Sequence, residues 1–123
     1  MTPLFSNPTD TSTPLSPERL AEVTEGDRAF EHQLLRVFAD DMAQRFQRVA
    51  EALAAKDFAT IVLECHSIKG AASNVGAYPL RTAAEIGETA ARTEDTASLS
   101  AAFSTMKVEF GRLQDAMRSR QVP

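Results

Sequence analysis

The chain has 123 residues, a length that fits one domain with a single hydrophobic core. Hydrophobic residues make up 43% of it and charged residues 24%, as is ordinary for a soluble globular protein, and the net charge is −4. This charge argues against a nucleic-acid binder, and one cysteine excludes both an internal disulfide framework and a cysteine-built zinc site. No apolar run approaches the roughly 20 residues of a transmembrane helix, and no signal peptide is apparent, so we expect a cytoplasmic protein that does not insert into membranes.

The N-terminal segment, residues 1–15, is rich in Thr, Ser and Pro. This composition predicts a disordered leader or the end of a linker, followed by a folded domain over residues 16–120. Ser16 and Pro17 are typical of a helix start, with serine as N-cap and proline at the first helical position. The short helix that they begin is predicted over about 17–24, ending near Gly26.

Four longer amphipathic helices are predicted next, because apolar residues recur three and four positions apart. The first spans about 27–55, the second follows the capping Asp57 and ends at Gly76, the third begins near Pro79, and the fourth near Thr96. The positions predicted to face inward are, helix by helix, Phe30, Leu34, Val37, Phe38, Met42, Phe46, Val49 and Leu53; Phe58, Ile61, Cys65, Ile68, Ala72 and Val75; Leu80, Ala83, Ile86 and Ala90; and Leu99, Phe103, Met106, Phe110, Leu113 and Met117. No run alternates like an exposed strand. We therefore predict an all-α fold, an antiparallel four-helix bundle with a short additional N-terminal helix.

The segment 64–77 differs from the charged, solvated helix faces elsewhere in the chain. On a helix, His66, Lys69, Gly70 and Ser73 form a stripe beside the apolar one, which places His66 at the surface. Gly70 costs about 1 kcal/mol relative to alanine in mid-helix, and its missing side chain would let another group approach the ring closely. A cation, a hydroxyl donor and bare backbone around an imidazole suit a phosphoryl group better than a metal ion.

The same residues also have structural interpretations. A surface histidine near a lysine is common, Ser73 could bond the helix backbone, and Gly70 could allow close helix packing. Cys65 beside His66 suggests a nucleophile–base pair. However, neighbouring helical residues point about 100° apart, so Cys65 should be in the core when His66 is at the surface.

The run from 66 to 77 reads His-Ser-Ile-Lys-Gly-Ala-Ala-Ser-Asn-Val-Gly-Ala. It resembles the His-x-x-Lys-Gly-x-x-x-x-x-Gly-Ala signature of histidine-containing phosphotransfer (HPt) domains, and the resemblance extends over about 17–118. It implies that His66 accepts a phosphoryl group, that Lys69 stabilises its charge, and that Gly70 keeps the imidazole accessible. Ser73 would be a secondary polar contact.

Two positions depart from the family pattern. Glu88, on the next helix, could accept a hydrogen bond from His66 Nδ1–H and orient the ring, although its charge would repel a phosphoryl group. Gly87 stands where relatives usually carry a larger apolar residue, which would loosen the packing there.

The resemblance also implies partners. The phosphoryl group would pass between His66 and an aspartate of a response-regulator receiver domain, in a two-component phosphorelay that includes a hybrid sensor histidine kinase. Magnesium would be held by the receiver, this chain would bind no cofactor, and no ATP-binding kinase site is expected because no glycine-rich phosphate loop is present. Val62, one turn before His66, is a candidate for an apolar docking patch on a monomer. The alternative is a non-catalytic helical adaptor or inhibitor that binds receiver or kinase domains, which the intact His66, Lys69 and Gly70 disfavour.

Overall fold

Residues 13–120, described by a computed structural model, form five helices and no strand. The helices are α1 (Pro17–Thr24), α2 (Arg28–Ala54), α3 (Phe58–Val75), α4 (Tyr78–Arg92) and α5 (Thr96–Arg120). Connections of two or three residues force consecutive long helices to run antiparallel. Helices α2 to α5 form the predicted four-helix bundle, and α1 is the short additional helix.

Side-chain caps determine where four of the helices begin. The residues Ser16, Asp27, Asp57 and Asp95 each accept a hydrogen bond from the backbone N–H three positions later, at 3.1 to 3.2 Å. Each cap satisfies one of the N–H groups that a helix leaves unpaired at its N-terminus. The predicted starts at Ser16 and Asp57 are confirmed, whereas the cap at Asp95 was not predicted.

The glycine that ends α3 also joins α3 to α1. Gly76 adopts a left-handed backbone conformation with φ of 83°, and its carbonyl accepts a hydrogen bond from Ser16 N–H at 2.9 Å. A Cβ at this position would stand 2.9 Å from Arg19 Cβ, closer than real Cβ atoms approach. The second glycine of the motif is therefore required by the fold.

Most of the positions predicted to face inward are buried and five are partly buried, but three are exposed. Phe30, Val37 and Ile86 are between 44% and 61% exposed. On α2 the buried stripe passes through Phe38 and Met42, and Val37 points about 100° away from it. On α4 the inward position is taken by Gly87 and not by the larger Ile86.

Gly87 does not loosen the bundle, contrary to expectation. A Cβ there would lie 3.2 Å from Cys65 Sγ and 3.6 Å from Met106 Sδ, so the backbone of α4 packs directly against side chains of α3 and α5. The close contact of α3 with α4 brings the faces of these two helices together, and the candidate site lies on them.

At the N-terminal boundary, Leu15 is buried in the core although it was assigned to the leader, because it precedes the α1–α3 junction. Residues 1–12 of the predicted leader lie outside the described residues. Among residues 13–120, no helix has the length and apolar character needed to span a membrane.

Candidate functional site

His66 lies in the middle of α3 with its side chain 65% exposed. The neighbouring Cys65 and Ile68 are fully buried, so the predicted division between the core stripe and the outer stripe is confirmed. The ring is nevertheless held from one side: its Nδ1 lies 3.2 Å from Oε2 of Glu88 on α4. The two helices together therefore place an exposed imidazole in contact with a carboxylate.

Glu88 is the centre of a cluster of charged groups. Only 7% of its side chain is exposed. Lys69 Nζ lies 2.9 Å from Oε1, and Arg92 Nη2 donates a 2.7 Å hydrogen bond to Oε2. The Lys69 contact is an ion pair without the alignment of a hydrogen bond, so Oε1 is held by charge alone. A buried carboxylate requires such partners, and the cluster supplies two cations.

This cluster determines which nitrogen of a neutral His66 ring carries the proton. The hydrogen bond from Arg92 is the largest cause, followed by the contact with Lys69, and together they outweigh burial and lower the pKa of Glu88 to about 2. The carboxylate is therefore ionised at neutral pH and can only accept hydrogen bonds. Nδ1 of a neutral His66 must then carry the proton, which leaves the lone pair on Nε2, the ring nitrogen that does not face Glu88.

The other residues predicted for the site occupy different places. Gly70 is exposed, and a Cβ built there would meet nothing within 4 Å, so close helix packing does not explain the glycine. Ser73 is half-buried two turns along α3 and takes no part in the hydrogen bonds of Glu88. Val62 is half-buried against the core, while the adjacent Leu63 is exposed.

Cys65 is excluded from this chemistry by its surroundings. It is fully buried, and burial raises the pKa of its thiol to about 12. Its position in the core was predicted, and a thiol in this state is not nucleophilic at neutral pH. In the described part of the chain, no three His, Cys, Asp or Glu side chains are grouped so that they could hold a metal ion.

Arg92 is the member of the cluster that sequence reasoning missed. Its position four residues after Glu88 in a predicted helix was a usable signal, because such pairs face each other on a helix. The fact that Glu88 also reaches across to His66 could not be read from that spacing.

Comparison with known proteins identifies the bundle. The Hpt domain family model matches residues 33–119. The chain belongs to the Hpt domain family. Histidine phosphotransfer in a phosphorelay is the function of this Hpt domain, and components of that relay are its partners. Nothing in the comparison favours the adaptor alternative.

A solved structure is similar to this Hpt domain over almost its whole length. It is the crystal structure of histidine-containing phosphotransfer protein B (HptB) from Pseudomonas aeruginosa PAO1, with 28% sequence identity and a TM-score of 0.83. The similarity covers 90% of this chain and 97% of that chain. None of the curated proteins compared with the chain matches it.

Proposed function

We propose that this Hpt domain relays phosphoryl groups between Nε2 of His66 and aspartates of response-regulator receiver domains. The observation that carries the proposal is the hydrogen bond between His66 Nδ1 and the ionised Glu88. It holds an exposed ring in the tautomer whose Nε2 is a nucleophile. The same tautomer logic applies wherever a buried carboxylate orients a catalytic histidine.

The transfer step exchanges one bond to phosphorus for another. The Nε2 lone pair forms the N–P bond as the P–O bond to the receiver aspartate breaks, and the aspartate carboxylate leaves with the electron pair. Nδ1 keeps its proton, so the ring gains positive charge, which Glu88 stabilises across the 3.2 Å contact. Transfer from His66 to an aspartate follows the same path in reverse.

Three further residues of α3 have proposed roles in this step. Lys69 contributes positive charge beside the ring and so offsets the repulsion between Glu88 and a phosphoryl group. Gly70 leaves the space beside His66 open, so that a receiver can approach the ring. Ser73 is a more distant polar contact for the docked partner.

The remaining assignments concern the partner and the setting. We propose that acidic residues of the receiver hold Mg²⁺, because the carboxylate of this site is already engaged by two cations. Val62 would belong to the apolar part of the docking surface. A monomer in the cytoplasm, which exchanges phosphoryl groups with a hybrid sensor kinase and a receiver, fits this role.

The test is phosphoryl transfer from a ³²P-labelled receiver domain, with Mg²⁺, to the wild-type chain and to two variants. His66→Gln should lose all label, whereas His32→Gln, which removes the other histidine of the chain, should label like wild type. The adduct should be acid-labile and stable to base. Equal labelling of His66→Gln would overturn the site. No labelling of wild type by a panel of receivers, with a control Hpt domain active, would instead support an adaptor.

A further inference from the structure

Arg92 contacts the same carboxylate oxygen as the ring that takes part in phosphotransfer. Its guanidinium donates to Oε2 of Glu88 at 2.7 Å, and the same oxygen accepts from His66 Nδ1 at 3.2 Å. The Arg92 side chain is 60% exposed, whereas that of Glu88 is 7% exposed. One oxygen of a buried carboxylate therefore contacts both the reacting ring and an exposed cation.

While the ring is neutral, Oε2 of Glu88 faces one cation, Arg92, and Lys69 pairs with Oε1. Once Nε2 bonds to phosphorus and Nδ1 keeps its proton, the ring becomes a cation in contact with the same oxygen as Arg92. The two positive groups then repel each other in a partly desolvated place. At the same time the phosphoryl group brings about two negative charges and three acceptor oxygens to the exposed edge of the ring.

Lys69 and Arg92 differ in how freely they can respond. Lys69 pairs with Oε1, the buried oxygen, and its side chain is half-buried, so it stays with Glu88. Arg92 stands on the exposed side, and its guanidinium carries five N–H donors in a planar fork suited to phosphoryl oxygens. Arg92 is therefore the cation that can move from Glu88 to the new group.

Resting on the proposed function, we propose that Arg92 is a second phosphoryl-binding residue, which leaves Glu88 and donates hydrogen bonds to the phosphoryl oxygens when His66 is phosphorylated. The cationic ring takes over its place at Oε2, so Glu88 is never left without a partner. This hand-over makes Arg92 a catalytic residue, because it touches the transferred group.

A small-molecule phosphoryl donor tests this movement of Arg92, the hand-over, without a receiver domain. Phosphoramidate, which loses ammonia as Nε2 bonds to phosphorus, should phosphorylate the wild-type chain but not His66→Gln. For Arg92→Gln the rate should fall about tenfold, the order expected for one charge-assisted hydrogen bond. Arg92→Lys keeps the charge and should recover to within about threefold of wild type.

Arg112→Gln is the matched control, since it also removes an exposed arginine from an ion pair within one helix, but on α5. Its rate should equal that of wild type. If Arg92→Gln reacts as fast as wild type while His66→Gln does not react, the hand-over is wrong and the proposed function stands. If wild type forms no phosphohistidine with phosphoramidate or with any receiver, both are wrong.

A second measurement separates movement of Arg92 from a general effect on the fold. In ¹⁵N-edited NMR spectra, the Arg92 Nε–H signal should shift on phosphorylation of wild type, and the Arg112 signal should not. An Arg92 signal that stays in place while His66 is fully phosphorylated would overturn the hand-over, even if the variant were slow.

Discussion

At the scale of single residues, the site depends on a carboxylate that two effects disfavour: burial, and repulsion of a phosphoryl group. Glu88 is buried, and it contacts the His66 ring, on which we propose that the phosphoryl group binds. The hydrogen bond from Arg92 and the ion pair with Lys69 compensate both effects, and they lower the pKa of Glu88 to about 2. A neutral glutamine would fill the same volume without the negative charge that attracts both cations.

This linkage predicts how Glu88 contributes to acid stability. A carboxyl group whose folded pKa is depressed stabilises the fold above its unfolded value, 4.5, and the contribution disappears as pH falls through about 2. Between pH 6 and pH 2, wild type should therefore lose roughly 3 kcal/mol of unfolding free energy more than Glu88→Gln loses. Urea unfolding at several pH values measures the difference. Glu85→Gln, which removes an exposed carboxylate from the same helix, should follow wild type, and parallel curves for Glu88→Gln would contradict the assignment.

Some residues of the site could be predicted from the sequence, and others could not. His66 and Lys69 carry a motif, and the exposure of His66 follows from its place beside the core stripe. The hydrogen bond of Glu88 with the ring was predicted as a possibility from the family pattern. Arg92 was missed, because its importance comes from Glu88 contacting two helices at once, and helical periodicity describes each helix separately.

At the scale of helices, the three glycines Gly70, Gly87 and Gly111 look alike in sequence and differ in structure. Gly87 lies where α4 touches α3 and α5, and a Cβ there would stand 3.2 Å from Cys65 Sγ, so the neighbouring side chain would have to shift by a few tenths of an ångström. At Gly70 and Gly111 a Cβ would meet nothing within 4 Å. Close helix packing therefore favours glycine at position 87, and at positions 70 and 111 the glycine costs helix stability without such a packing contact.

The comparison of Gly70 with Gly111 predicts a separation of stability from function. Gly70→Ala and Gly111→Ala should each raise the unfolding free energy by about 0.5–1 kcal/mol, because alanine favours the helix interior. Gly70→Ala alone should slow transfer from a phosphorylated receiver, by about tenfold or more, because a methyl group beside His66 displaces the docked partner. Urea unfolding and the labelled-receiver assay measure the two effects. If Gly70→Ala transferred phosphoryl groups as fast as wild type, the open space at Gly70 would not be needed for receiver docking.

The bounds of the helices were largely predictable, and their inward faces less so. Caps and glycine ends are local signals, which explains the agreement at α1 and α3. The prediction that Ile86 faces inward on α4 was wrong. The inward position belongs to Gly87, and a buried glycine gives no hydrophobic signal even where two helices pack closely. Side-chain size on one helix cannot indicate how near its neighbour comes.

At the scale of the whole molecule, an ion pair ties the last turn of α5 to the first turns of α2. Arg120 donates to both carboxylate oxygens of Glu31, at 2.7 and 3.1 Å, and Glu31 is buried. The hydrogen bond from Arg120 is the main reason that the pKa of Glu31 is lowered. The two residues are 89 positions apart, and periodicity, which predicts faces, did not predict this pairing.

This pair should stabilise the bundle without touching the chemistry at His66. Breaking a buried, doubly hydrogen-bonded pair leaves an uncompensated charge, so Glu31→Gln should lower the unfolding free energy by about 2–4 kcal/mol at pH 7. In a double-mutant cycle with Arg120→Gln, the coupling should be about 1–3 kcal/mol. Because the folded pKa of Glu31 is depressed, the coupling should be complete above the unfolded value of 4.5 and should vanish as Glu31 is protonated at lower pH.

The rate of phosphorylation by phosphoramidate, measured for the four proteins of that double-mutant cycle, tests whether the pair affects function. At a temperature where all four proteins are folded, their rates should agree, because the reacting groups lie on α3 and α4 and the pair joins α2 to α5. A slower reaction in Glu31→Gln that Arg120→Gln does not share would show that Glu31 itself acts on the site. A coupling that persisted at low pH would show that packing, and not charge, holds the two ends of the bundle together.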